Sequence, residues 1–569
     1  MKILFVTYRF GKDIIGGAES YLWNLSTHLA GLGADVTVAT TTASGFYSPT
    51  RWNVFWEKGY APGEEKIDGL RILRFPFSNL PKWRGALYGI PLQKRFEEEE
   101  WMYPPPFEYA GTGGVPLRGW HFEERSGNSI QRWTGKKAEI FIRDQHIWEV
   151  NFTAMSPWEN RGEVFVNDNR IGEFDLNRHP EFYSFKLNEP RDTASVRISL
   201  KRTKRPWRDL RHLGMAVTTL GYNAGDHTRI IPLSRHYQNI MIENTPTLLD
   251  WMEKRAHSRP GYLEGFFDRC RGPNSRGLRR YIRQHAGEYD IITGHDFPHR
   301  QLAETVNVAK KAGIPSAAIP LAHLEDEYYH WTHYYNALKN ADLTLALSGF
   351  SQDIFREQYG ANAHSIGAGI VPEEFESPDI SGARFRETHN MGTTPIILFI
   401  GRKSYPKRYE ELVRAVKIVN EKKSCRLVMI GPDENLQPVS PEDALYLGRL
   451  PRPEMLNALD ACDVFAMLSG SESFGMVFLE AWMMRKPVIG NRRCGAVASL
   501  ISHGEDGFLC DSAEDTAERI IQLFNNPTMR KEMGKKGQIK TMENFTWDKI
   551  ARRVYDLFED LTRGSFPNK

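Results

Sequence analysis

The feature that most constrains this chain is an apolar run that passes through a polar turn into a helix. Asp463-Val464-Phe465-Ala466-Met467 reads as a buried strand, and Ser471-Glu472-Ser473-Phe474-Gly475-Met476-Val477-Phe478-Leu479-Glu480-Ala481-Trp482 reads as turn and then helix. Strand, glycine-containing turn and helix in that order build the carboxyl edge of a parallel sheet, because parallel neighbours need a helical crossover. Free backbone N–H groups collect at such an edge, which is where open α/β proteins hold phosphorylated ligands. Two carboxylates, Glu472 and Glu480, flank the turn. One stands in the turn, and the other is placed a turn or so into the helix, where it can accept hydrogen bonds from adjacent hydroxyls.

Two glutamates at that spacing also arise when a helix dipole favours one and solvent hosts the other. The surroundings decide between the readings. Ala461-Cys462-Asp463-Val464-Phe465 lies upstream and Lys486-Pro487-Val488-Ile489-Gly490 downstream. Together these resemble the nucleotide-sugar signature of the family-4 retaining glycosyltransferases, which have the GT-B fold of two facing Rossmann-like domains. The resemblance implies that Glu480 binds the donor ribose and Glu472 the donor sugar. It places Ser473, Phe474 and Gly475 at the diphosphate.

The rest of the chain is consistent with that class. In 569 residues, 41% hydrophobic and 25% charged, two to four domains can each bury a core. A net charge of +3 does not call for nucleic acid, and no apolar run is long enough for a membrane span. Five scattered cysteines without CxxC spacing suggest reduced thiols in a cytosolic protein. The N-terminal Met1–Thr7 reads as a buried strand, too short for a signal peptide.

Residues 2–7, the Gly16-Gly17-Ala18-Glu19 opening of a helix, and Asp35–Thr40 form a strand–loop–helix–strand unit. Paired glycines let a ligand approach the backbone, and the pattern is not the GxGxxG of dinucleotide enzymes. Asp68–Pro76 supplies a third strand. Residues 79–118 then break the α/β rhythm, with Pro81-Lys82-Trp83-Arg84 and Lys94-Arg95 readable as a lipid-headgroup contact or as solvated linker before Glu97–Glu100. From Gly119 to Tyr222 the period is two, with short strands separated by turns such as Asn167-Asp168-Asn169 and Asn188-Glu189-Pro190, so an inserted β-sandwich is expected. Its tryptophans (Trp120, Trp133, Trp148, Trp158, Trp207) can stack on sugars, but most are read as core or edge aromatics. Basic stretches at Arg269–Arg271 and Arg276–Arg280 suit an anionic acceptor or a solvated helix face.

Further on, Tyr289–His295 is a strand ending in a histidine expected at the cleft. The resemblance places His295 beside the transferred sugar and Gly16 and Gly17 at the donor diphosphate. His323, Glu325 and Asp326 are acceptor-side candidates. In the second domain, Ile396–Ile400 precedes Gly401-Arg402-Lys403-Ser404-Tyr405-Pro406-Lys407-Arg408. Arg402 and Lys407 match the family's cation pair for the leaving diphosphate, but Arg408 stands where a glycine is usual. Arg449, in Leu447-Gly448-Arg449-Leu450, falls where the family holds the base.

The expected domains are 1–110, 236–376 and 377–545 for the two Rossmann-like halves, 111–235 for the sandwich, and 546–569 for a helix crossing back. The expected activity is retaining, metal-independent, hexosyltransferase-type transfer without a cofactor. Sugar moves from a nucleotide-diphosphate donor to a hydroxyl of a glycan or lipid-linked acceptor, in surface polysaccharide or glycoconjugate synthesis. The expected location is the cytoplasm, peripherally at the inner membrane face. The alternatives are a carbohydrate-binding protein with a lapsed cleft and an epimerase of the same fold. His295, Arg402, Lys407 and Glu472 are the candidate catalytic residues.

Overall fold

The computed structural model describes residues 1–14, 16–47, 55–80, 113–116, 120–126, 129–167, 169–204, 213–231, 261–324, 331–433 and 439–564. The segments Pro81–Arg84, Lys94–Arg95 and Glu97–Glu100, and the residues Asp168, Trp207, Glu325 and Asp326, lie outside them. The chain forms two compact units. One joins Met1–Gly85, Phe267–Glu434 and Pro438–Lys569, and the other falls within Ala86–Phe266.

The first unit holds two α/β sheets, the Rossmann-like pair expected from the sequence. Among the described residues the first has eight strands, in the order Ala363–Ser365, Leu343–Ala346, Ser316–Ile319, Ile291–His295, Lys2–Val6, Asp35–Thr41, Leu70–Phe75 and Gly63–Ile67. All neighbours run parallel except the last pair. The central strands are apolar on both faces because helices cover both. Every residue of Ile291–His295 and of Ser316–Ile319 is buried. The second sheet is parallel throughout, in the order Leu445–Tyr446, Arg426–Ile430, Ile396–Ile400, Val464–Met467, Val488–Asn491 and Gly507–Cys510.

Several contacts among the described residues join these two halves. The helix Trp547–Thr562 returns to pack on Gly17–Gly31, with the Trp547 ring edge-on to Tyr21 at 5.3 Å. There Ile370 N–H donates to Phe545 O (2.9 Å) and Trp547 N–H to Ile370 O (3.1 Å), and a Cβ on Gly369 would lie 2.7 Å from Trp547 N. The helix Gly349–Glu357 meets Gly495–Leu500 so closely that a Cβ on Gly495 would fall 2.4 Å from the Phe350 ring.

The helix Met476–Met483, which carries Glu480, is fixed from behind. Gly475 adopts φ +96°, a left-handed conformation that glycine tolerates without penalty, and so redirects the chain into the helix. Trp482 is fully buried and its Nε1–H donates to Asp506 O at 2.8 Å. Lys540 lies 5.2 Å above the Trp482 ring and pairs with Asp506 at 2.8 Å.

The second unit is a single β-sheet of nine strands among the described residues, where two facing sheets were expected. The short strands and turns expected from the sequence are partly merged into two long ones, Lys137–Met155 and Glu181–Leu200. The turn expected at Asn188-Glu189-Pro190 is instead an irregularity inside one strand. The register jumps between Lys186, opposite Glu149, and Arg191, opposite Ile147. A bulge absorbs the extra residues and bends the pair without ending it. That bend lets Ile140 and Ile142 share one core with Val150 and Phe152 of the same strand. Trp120 is buried with its Nε1–H on Glu139 O (2.9 Å), Trp133 stacks on Trp158 (6.2 Å), and Trp148 donates to Gly225 O (3.0 Å), so these tryptophans are part of the packing of this unit.

No helix among the described residues is long and apolar enough to cross a membrane. All five cysteines are free thiols and buried.

Gly537, on the helix Pro527–Asn544, touches the Trp482 ring: a Cβ there would lie 2.0 Å from Trp482 Cδ1. Gly537→Ala should therefore cost about 1–3 kcal/mol through overpacking, read from urea unfolding of the full chain. Gly287→Ala, where nothing lies within 4 Å, should cost far less.

Candidate functional site

The carboxyl edge of the second sheet gathers several of the residues singled out in the sequence. After Ile396–Ile400 the chain turns through Gly401 and the exposed Arg402 to Lys403, which is only 1% exposed. Lys403 pairs with Asp433 at 2.7 Å and lies 5.2 Å over the Tyr446 ring, so it anchors the loop. Lys407 follows in a short 3-10 turn and makes an ion pair with Glu472. Gly470 N–H donates to Pro406 O at 2.8 Å, tying the two loops together.

Arg408, the departure from the family's usual glycine, takes φ +47° and ψ +37°. The loop thus keeps a left-handed residue although the side chain disfavours it. Its guanidinium pairs with Glu411 at 2.5 Å, which helps to hold the conformation.

Glu472 is 8% exposed. Burial would raise its carboxyl pKa, but Lys407 and His323 outweigh burial and hold it below the ordinary range. His323 belongs to the first sheet, in the loop after Ser316–Ile319, so groups from both sheets act on this one carboxylate.

Glu480 is also 8% exposed. Its Oε1 accepts from Arg452 Nη1 at 2.7 Å, while its Oε2 is buried and has no hydrogen-bond partner among the described residues. A buried acceptor without a donor costs free energy on the order of 1–3 kcal/mol, and so marks a place where a ligand can supply one. Ser473 is half-buried, and Phe474 is buried edge-on to Phe545 at 5.5 Å. Arg449 is exposed beside Gly448, whose carbonyl accepts from Gly431 N–H at 2.8 Å.

At the first sheet, Gly17 begins the helix Gly17–Gly31 with open space where a side chain would stand. Gly16 has a different reason to lack one: a Cβ would fall 2.1 Å from Glu19 Oε2. The Glu19 carboxylate accepts from Tyr8 Oη (2.7 Å) and Arg9 Nε (2.6 Å). Arg9 lies 5.1 Å over Phe46 and 5.9 Å over Trp56, so this carboxylate organises a buried polar and aromatic wall under the loop.

His295 differs from the expected cleft-facing side chain. It is 1% exposed, enclosed beneath the first helix with Tyr21 at 6.5 Å, because the last residue of a central strand still lies within the covered layer. Both ring nitrogens lack partners among the described residues, and burial pushes its pKa down to about 3, so the imidazole is neutral. Asp296 follows at φ +75°, and burial followed by the nearby Glu19 raises its carboxyl well above the ordinary range. His299, 4.0 Å from the Tyr8 ring, is held well below its ordinary pKa by burial and by Arg271 and Arg9.

Sequence reasoning missed the partners in these arrangements. Tyr8 and Arg9 lie far in the chain from Asp296 and His299, and Glu19 was legible only as part of a glycine motif. Arg452 opens a helix with no pattern to distinguish it from a surface residue.

A histidine that is neutral in the fold but charges near pH 6.5 when unfolded binds its proton only in the unfolded chain between those two values. Its contribution is therefore complete above about pH 6.5 and is lost as the pH falls toward 3. His295→Gln should make this acid limb shallower by about 1.4 kcal/mol per pH unit, measured by urea unfolding at pH 7, 6 and 5. An unchanged slope would show that His295 is protonated in the fold.

The glycosyl transferases group 1 family matches residues 383–540. N-acetyl-alpha-D-glucosaminyl L-malate synthase of Bacillus anthracis is 30% identical over 179 residues, 30% of this chain and 46% of the synthase. D-inositol 3-phosphate glycosyltransferase of Corynebacterium diphtheriae is 25% identical over 320 residues, 50% of this chain and 74% of that protein. The solved structure of sucrose-phosphate synthase from Thermosynechococcus elongatus superposes with a TM-score of 0.49 at 13% identity, over 99% of each chain. The chain spans about half the length of the Bacillus synthase. Residues 383–540 are a glycosyl transferases group 1 domain, and Arg402, Lys407, Glu472 and Glu480 all lie inside it.

Proposed function

We propose that this chain is a retaining glycosyltransferase that moves a sugar from a nucleoside-diphosphate sugar to a hydroxyl of a glycan or lipid-linked acceptor, in surface polysaccharide or glycoconjugate synthesis. The observation that carries the reading is the buried, unpartnered Oε2 of Glu480 in the same domain edge as the Lys407–Glu472 pair. A ribose hydroxyl supplies the donor that oxygen lacks. Arg402, Lys407 and the N-terminus of Met476–Met483 offer positive charge to a diphosphate, and fixed cations of this kind take the role a metal has elsewhere.

On this reading charge builds on the diphosphate as the sugar becomes oxocarbenium-like, and preorganised cations stabilise that charge more in the transition state than in the ground state. A phosphate oxygen of the donor takes the proton of the attacking hydroxyl on the face the diphosphate leaves, so configuration is retained. Glu472, held ionised by Lys407 and His323, is placed to accept a hydrogen bond from a hydroxyl of the donor sugar. His295, neutral and enclosed beneath the first helix, is assigned to the same sugar as a hydrogen-bonding group. Gly16, Gly17, Ser473, Phe474 and Gly475 line the diphosphate in this assignment, and Arg449 the base. His323 and Asp326 belong to the acceptor side. Helices Gly261–Arg271 and Arg276–His285 carry several arginines, which suits an anionic acceptor at the inner membrane face.

Calorimetric titration with UDP, GDP and ADP in the presence of EDTA tests the reading. One nucleotide should bind the wild type, and Glu480→Ala should weaken it by about 1–3 kcal/mol, as for loss of a charged hydrogen-bonding partner. If no nucleotide or nucleotide sugar binds with or without a divalent cation, the transferase reading fails. Conversion of the donor alone, without acceptor, would make the protein an epimerase instead.

A further inference from the structure

The carboxylate assigned to the ribose does not stand alone. Arg452 donates from Nη1 to Glu480 Oε1 (2.7 Å) and, from the same guanidinium, to Glu374 Oε2 through Nη2 (2.9 Å) and Nε (3.2 Å). Glu374 lies in the 3-10 turn Pro372–Phe375, within the segment that connects the first sheet to the second. The guanidinium also sits 5.4 Å over the buried Phe375 ring.

The helix that Arg452 opens, Arg452–Ala461, holds the connecting segment at two more points. Ser381 N–H donates to Asn457 Oδ1 (2.8 Å) and Gly382 N–H to Asp460 Oδ2 (2.7 Å). A Cβ on Gly382 would fall 2.6 Å from Ala461 N, so the segment is pressed directly on the helix. Arg452 is therefore the one cation in these contacts that reaches the candidate ribose carboxylate and the connection between the sheets together.

Resting on the donor-site reading above, we propose that Arg452 is a positioning residue for the ribose. It holds Glu480 by one oxygen, leaves the other free for the donor, and through Glu374 couples that grip to the segment joining the two sheets. The planar fork matters, because a lysine carries one point charge and cannot reach both carboxylates along fixed N–H directions. A ribose hydroxyl bonded to Oε2 draws electron density toward that oxygen. Any rotation of the Glu480 carboxylate to improve this bond must be followed by Arg452, and hence felt at Glu374. Donor binding and the setting of the connecting segment are thus linked, and by reciprocity each biases the other.

The test uses the full chain, with UDP, GDP and ADP and their 2′,3′-dideoxy counterparts as probes. The wild type should discriminate against the dideoxy form of the nucleotide it binds. Arg452→Lys should lose most of that discrimination and weaken binding of that nucleotide by about tenfold or more. Glu374→Gln should keep a reduced discrimination, because it releases one side of the fork while leaving the contact to Glu480. A merely structural Arg452 would lower thermal stability in both variants and leave the discrimination as in the wild type, which would overturn the proposal. Wild-type behaviour in Glu374→Gln would overturn the coupling. Glu480→Ala separates the two levels: if it too keeps full discrimination, the donor-site reading itself is wrong. If it alone loses discrimination, only the role of Arg452 is.

Discussion

The ion pair between Lys407 and Glu472 sets the character of this molecule's second domain edge. Both side chains are largely buried, and taking either charge out of water alone is far more costly than taking the two together. Removing one partner would leave the other buried and uncompensated. The pair joins the loop after Ile396–Ile400 to the loop after Val464–Met467, and the backbone bond from Gly470 to Pro406 repeats the tie. Two loops that could move separately are thus locked into one surface. A ligand bearing its own anionic charge would have to compete with Glu472 for Lys407.

The parallel sheets explain why so much polar chemistry can gather in a few places. Their central strands are buried on both faces and offer no exposed side chains, so the chain's polar groups are delivered at the strand ends. In the second domain this yields Arg402, Lys407, Glu472 and, one helix turn later, Glu480. In the first it yields Tyr8, Arg9, His295 and Asp296. The first set is built from ion pairs. The second joins the Arg9–Glu19 ion pair to buried groups whose pKa values desolvation moves away from the ordinary, with His295 neutral and Asp296 pushed upward. That contrast follows from cover. The first helix and its Tyr21 close over the end of Ile291–His295, whereas Arg402 is exposed at the edge of the second sheet.

Much of this was legible in order and little of it in contact. The buried strands of both sheets announced themselves as apolar runs, and the glycine at 475 announced the turn that its φ of +96° requires. The insertion was legible as a region of period two, but not its long bent strands. A bulge and a turn use the same residue types, and only the register of the partner strand distinguishes Asn188-Glu189-Pro190 as the former. Arg408 was legible as a departure from a motif, yet its left-handed backbone and its pairing with Glu411 were not. The role of Glu19 was hidden in a phrase of glycines, because its partners Tyr8 and Arg9 come from the preceding strand end.

The sequence by itself determined the α/β class, the glycine turns, the inserted β region and the charged residue types at the edge of the second sheet. These depend on local periodicity and on chemistry that neighbours in the chain carry together. Tertiary structure decided which of those groups are charged, paired or free. It put Lys407 on Glu472, enclosed His295, left one oxygen of Glu480 without a donor and brought Arg452 to the other. Burial and partner distance govern charge state and hydrogen-bond satisfaction, and both are set by residues far apart in sequence.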